Sequence, residues 1–71
     1  MSVTKMKLGQ IKVDCVFYNV KKNIRVPMTQ VFSNEEYANN WIEHLKMQDD
    51  VVWIEAYKQT KHGEQMILYW W

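Results

Sequence analysis

Phe32-Ser33-Asn34-Glu35-Glu36-Tyr37-Ala38-Asn39-Asn40-Trp41-Ile42-Glu43-His44-Leu45 is the stretch that decides the architecture. Ser33 followed three positions later by Glu36 has the form of a capping box, in which the hydroxyl accepts from the helix's first turn and the carboxylate returns the bond. Phe32 and Tyr37 have the spacing of a hydrophobic staple across that cap, and Glu35 and Glu36 suit the positive end of the helix dipole. Beyond the cap, Tyr37, Ala38, Trp41, Ile42 and Leu45 fall on one side of a helix, while Asn39, Asn40, Glu43 and Lys46 fall on the other. The spacing predicts a helix capped by Ser33 and ending near Met47. Its apolar stripe must pack on something, and the flanking segments read as strands.

Upstream, Ile11, Val13, Cys15 and Phe17 alternate with Gln10, Lys12, Asp14, Val16 and Tyr18, the pattern of a half-buried strand. Lys21-Lys22-Asn23 supplies a turn, and a second strand runs from Ile24 to about Val31. Pro27 has no N–H to give to a ladder, so this strand lies at a sheet edge or carries a bulge. Downstream, Val52, Ile54 and Ala56 alternate with Trp53, Glu55 and Tyr57. Thr60-Lys61-His62-Gly63 then links this third strand to a fourth, from Glu64 to the terminus. The expected fold class is α+β: a single ββαββ domain over 1–71, a four-stranded antiparallel sheet with one helix on one face, and residues 1–8 a loosely ordered N-terminal segment.

Composition narrows the functional classes. At 71 residues the chain holds one core, and self-association would help so small a core. Hydrophobic residues at 48% and charged residues at 24% describe a folding chain rather than a disordered one. A formal charge of +1 lacks the strongly basic balance of a polyanion binder. The single cysteine, Cys15, forms no internal disulfide, the opening Met1–Lys7 has no long apolar run, and no segment approaches a membrane span, so the expectation is a cytoplasmic protein.

Catalytic and metal chemistry find little footing. His44, His62 and Cys15 fall short of a spaced zinc set, and Cys15 sits on the core parity, where a thiol behaves as a small hydrophobe. Asp49 and Asp50 suit a polar loop, and neither Gly9 nor Gly63 precedes a helix as a phosphate loop requires. No enzyme activity, cofactor or metal is expected.

One helix covers one sheet face, so the residues of opposite parity are left uncovered. That far face receives Val16, Tyr18, Trp53 and Tyr57 together with one parity of the fourth strand, where Met66, Leu68 and Trp70 are as apolar as Ile67, Tyr69 and Trp71. Trp and Tyr on an open face serve protein interfaces well, since they bury large area at small entropic cost. The expected partner-binding residues are Trp53, Tyr57, Tyr18, Tyr69, Trp71 and Val16. The same aromatics, flanked by Lys12, Lys21, Lys22, Arg25 and Lys58, form the alternative platform for single-stranded nucleic acid.

The run from Phe32 to Ile42 followed by Val51 to Tyr57 resembles tiny proteins encoded by phages and mobile elements. The resemblance covers the capped helix and the strand after it, and carries over no catalytic residue. It implies a stoichiometric effector that binds and inhibits a host or defence protein. The expected function is therefore a non-enzymatic protein-binding module, homodimeric, whose partner is another protein.

Overall fold

The computed structural model describes residues 6–71. Its elements run β1 (Ile11–Asn19), β2 (Ile24–Phe32), α1 (Glu35–Lys46), β3 (Val51–Thr60) and β4 (Gly63–Trp70), which is the predicted ββαββ order. All pairings are antiparallel and the sheet order is β2-β1-β3-β4. Pro27 thus lies on an edge strand, opposite Val16, where its missing N–H costs the ladder least. Of the segment 1–8 expected to be loosely ordered, residues 1–5 lie outside the described residues. Met6 is buried, and the Gln10 N–H donates to the Lys7 carbonyl at 3.0 Å.

The helix is capped one residue later than the sequence suggests. Asn34, not Ser33, is the N-cap: its backbone is extended and its side-chain oxygen accepts from the Tyr37 N–H at 3.0 Å. Both residue types cap well, so the motif alone does not choose between them. The shift also dissolves the predicted staple. Phe32 packs on Trp41 instead, with ring centroids 6.4 Å apart, and Tyr37 is 56% exposed rather than part of the buried stripe. The stripe that does face the sheet is Ala38, Trp41, Ile42 and Leu45, a spacing of three, four and seven residues from the first. His44 and Lys46 in the last turn suit the negative end of the dipole, and the Met47 N–H closes the helix on the His44 carbonyl at 3.2 Å.

The core beneath α1 is narrow. Ile11, Val13 and Cys15 from β1 and Val51, Ile54 and Ala56 from β3 are buried against Ala38, Ile42 and Leu45. Phe17, Phe32, Trp41, Leu68 and Trp70 pack around this centre. Trp41 Nε1 is buried with no acceptor among the described residues, an arrangement that costs about 1–3 kcal/mol.

Strict alternation fails at the start of β3. Val16 pairs with Trp53 while the next residue, Phe17, pairs with Val51, so Val52 is an extra residue on β3 and forms a bulge. Val51 therefore enters the core and Val52, predicted to face the helix, is 39% exposed on the other side. The Tyr18 N–H finds the Asp50 carbonyl at 2.7 Å, which ties the strand back to the α1–β3 loop beyond the bulge. A second bulge lies in β4. Tyr57 pairs with Met66 and Ala56 with Leu68, leaving Ile67 unmatched.

Two outcomes test these corrections. Asn34→Ala is expected to lose about 0.5–2 kcal/mol in a urea titration while Ser33→Ala stays within about 0.5 kcal/mol of the parent. A larger loss from Ser33→Ala would return the cap to Ser33. Likewise Val51→Thr buries a hydroxyl and is expected to cost about 1–3 kcal/mol, whereas Val52→Thr stays within about 0.5 kcal/mol. The reverse ranking would remove the β3 bulge.

Candidate functional site: the open sheet face

Cross-strand partners share a face, so the register assigns every residue on the side opposite α1. One row runs Pro27, Val16, Trp53, the next Thr29, Asp14, Glu55, Tyr69, and a third Val31, Lys12, Tyr57, Met66. The fourth-strand ambiguity is resolved by the pairs Ile54 with Trp70 and Ala56 with Leu68, which draw Trp70 and Leu68 to the helix side. Tyr69 and Trp71 are left on the open side.

There they meet Trp53. The Trp53 and Tyr69 rings make an edge-to-face contact at 5.2 Å, and Tyr69 makes a second with Trp71 at 6.5 Å. Such T-shaped pairs place the positive edge of one ring on the negative face of the next. A hollow of about 300 Å³ beside them is lined by Val16, Arg25, Val52, Trp53 and Trp71. Val16 of β1, Trp53 of β3, Tyr69 of β4 and Trp71 just beyond β4 thus lie together. Val52 joins them unforeseen, because only the bulge turns it outward. Trp71 stays 77% exposed, so the described residues leave this cluster largely uncovered.

The two other expected residues lie apart from the cluster. Tyr57, four residues along β3 from Trp53 and so about 13 Å away, donates its hydroxyl to Glu55 at 2.8 Å. The Lys12 ammonium sits 5.2 Å from the centre of its ring. Tyr18 donates its hydroxyl to the Asn23 side chain and shares a second hollow with Arg25 and Val52. Asn23 holds a positive φ of 54°, so this bond braces the β1–β2 turn.

The lysines do not gather around the aromatics. Lys12 pairs with Glu64 at 3.1 Å, and Lys58, opposite the buried Ile11, lies on the helix side and bonds Glu35 at 2.8 Å. Lys21 and Lys22 belong to the β1–β2 turn, leaving Arg25 as the cation nearest the cluster. The centre of the face is instead acidic. Asp14 and Glu55 are direct cross-strand partners, half-buried, and neither makes an ion pair among the described residues. Asp14 accepts from the Thr29 hydroxyl at 2.7 Å. The Tyr57 phenol is raised above its ordinary 10.0, first by the hydrogen bond to Glu55, then by desolvation, and further by the negative field of Glu55, Asp14 and Glu64.

A separate groove of about 580 Å³ opens on the helix side, beyond the reach of α1, lined in part by Phe17, Val20, Val26, Met28 and Asp50. Val26 and Met28 stand opposite Phe17 and Cys15 on that side, where a helix of 12 residues leaves β2 half-covered. Among the described residues no group of three or more His, Cys, Asp or Glu side chains converges as a metal site, and no helix is long and apolar enough to cross a membrane. Cys15 is 2% exposed, and burial followed by the charge of Asp14 pushes its thiol above the ordinary 9.0.

No family model, no curated protein and no solved structure matches this chain.

The state of Cys15 yields a checkable outcome. A disulfide reagent at pH 8 is expected to modify the native thiol far more slowly than the urea-unfolded one, since the buried thiol must first be exposed. Because the folded value lies above the unfolded one, the thiol's contribution to stability is whole below pH 9.0 and lost as pH rises through the folded value. The urea midpoint should fall above pH 9.0, and part of that fall should vanish in Cys15→Ala. Equal reactivity of native and unfolded protein would contradict this burial.

Proposed function

We propose that the chain is a non-enzymatic protein-binding module that works as a stoichiometric effector by covering its open sheet face with a partner protein. The observation that carries this reading is the contiguous cluster of Trp53, Tyr69, Trp71, Val16 and Val52 on a face that no element among the described residues covers. Apolar patches of this kind are binding sites far more often than bare surface, and a few aromatic anchors dominate the affinity of an interface. A second copy of the chain is the occupant expected when no partner is present, which makes the free protein a homodimer.

The single-stranded nucleic-acid reading uses the same rings but lacks its electrostatic half. Stacking platforms pair with a basic groove that tracks phosphates. Here Lys12 is neutralised by Glu64, Lys58 faces the other way, and the carboxylates of Asp14 and Glu55 occupy the middle of the platform. Phosphates would be repelled from the centre they need to cross.

Sedimentation equilibrium tests the proposal directly. Wild type is expected to self-associate, and Trp53→Ala to weaken that association by at least ~2 kcal/mol, a shift of about 30-fold in Kd. Asn39→Ala and Asn40→Ala, on the outer face of α1, should change it by less than about 0.5 kcal/mol. A dimer indifferent to Trp53→Ala, or oligothymidylate binding that collapses as salt rises, would overturn the reading.

A further inference from the structure

The middle of the open face carries a feature that an apolar interface alone does not explain. Asp14 and Glu55 stand directly opposite each other on the two central strands. Directly opposed residues have Cβ atoms about 4.5–5.5 Å apart, and like charges at that separation destabilise a sheet. Thr29 and Tyr57 each lend one carboxylate a hydroxyl, but neither hydroxyl brings positive charge. The nearest cations on the face are committed or remote: Lys12 is held by Glu64, and Arg25 lines the hollow beside Trp53 and Trp71. The row continues through Glu55 to Tyr69, and the Trp53 ring stands against Tyr69 at 5.2 Å. Among the described residues, two carboxylates without an ion-pair partner therefore adjoin an aromatic cluster that nothing covers.

One side-chain chemistry satisfies both halves of this arrangement. A guanidinium is planar, presents donors in a fork that bridges carboxylates, and stacks on aromatic rings, whereas an ammonium is a compact, strongly hydrated point charge. We propose that the occupant of the open face is a protein segment that lays an arginine across Asp14 and Glu55 and seats an adjoining apolar side chain against Trp53, Tyr69 and Trp71. The inference rests on the protein-binding reading above and specifies the partner's charge. The arginine offsets the repulsion between the carboxylates, so the acidic pair costs the free protein stability and contributes to the bound one.

Selection of a displayed random-peptide library on the immobilised full chain tests it, with fluorescence titration of the selected peptides. Peptides whose binding is lost in Trp53→Ala are expected to be rich in arginine next to an apolar residue. Their affinity should fall about tenfold or more for the double variant Asp14→Asn/Glu55→Gln, which keeps both acceptors for Thr29 and Tyr57. The same double variant should melt no lower than wild type, because it loses a repulsion, and that separates lost recognition from a damaged fold. Trp53-dependent peptides without arginine, or binding unchanged in the double variant, would overturn the arginine inference and leave the protein-binding reading standing. Peptides insensitive to Trp53→Ala, or a library that yields none, would sink both.

Discussion

Everything in this molecule follows from the shortage of helix. Twelve residues make a rod about 18 Å long and roughly 10 Å across, while four strands present a sheet with two faces to cover. The rod lies over β1, with β2 and β3 on either side, and the fully buried strand residues come from β1 and β3 alone. No residue of β2 is buried, and β4 contributes only Leu68 and Trp70 as partial packing. With a third dimension of 16 Å, the molecule is one sheet and one helix thick. A core this thin gives a small surplus over conformational entropy, and covering the second face would add burial that the helix does not supply.

The β3 bulge connects this shortage to the character of the open face. By turning Val51 inward it fills the end of the core near Ile54 and Phe17, where the helix terminates. By the same step it sends Val52 outward, next to Val16 and Trp53. One extra residue thus serves both layers: the core gains a valine, and the aromatic cluster gains an apolar neighbour. The second bulge, at Ile67, keeps Leu68 and Trp70 on the helix side while Tyr69 and Trp71 stay with Trp53.

The element order, the choice between edge and bulge that Pro27 imposes on β2, and the buried parity of β1 are legible in the sequence because each rests on local pattern. Alternation from Ile11 to Phe17 survives intact since β1 pairs on both sides, and Pro27 carries its own reason for an edge. What escapes is set by partners far along the chain. Ser33 and Asn34 are equivalent as caps until Phe32 is committed to β2 and to Trp41, which leaves Asn34 as the residue that meets the Tyr37 N–H. Val51 and Val52 are identical side chains, and only pairing with Val16 and Phe17 decides which is inside. The parity of β4 is likewise invisible in a run apolar at nearly every position, yet follows at once from the pairs Ile54 with Trp70 and Ala56 with Leu68. For the face, alternation finds Trp53 and Val16, but it counts Tyr57 and Tyr18 as equals of Trp53 although hydrogen bonds to Glu55 and Asn23 engage them within the chain.

A sheet can recruit a partner by its edges or by its faces, and here the edges are the poorer choice. An edge binds by offering a continuous row of N–H and C=O groups. On β2 that row is broken near its middle by Pro27, and on β4 it is distorted at Ile67, where the bulge disturbs the ladder. Without that bulge the uncharged run from Gln65 to Trp71 would be an open template for strand addition, the kind of segment that aggregates. The open face has the opposite construction. Its rings hold one another at defined angles, and among the described residues its only unneutralised charge at the centre is the Asp14 and Glu55 pair. Interrupted edges suppress indiscriminate pairing through the backbone, and so direct association to the surface where side chains, and therefore specificity, decide the partner.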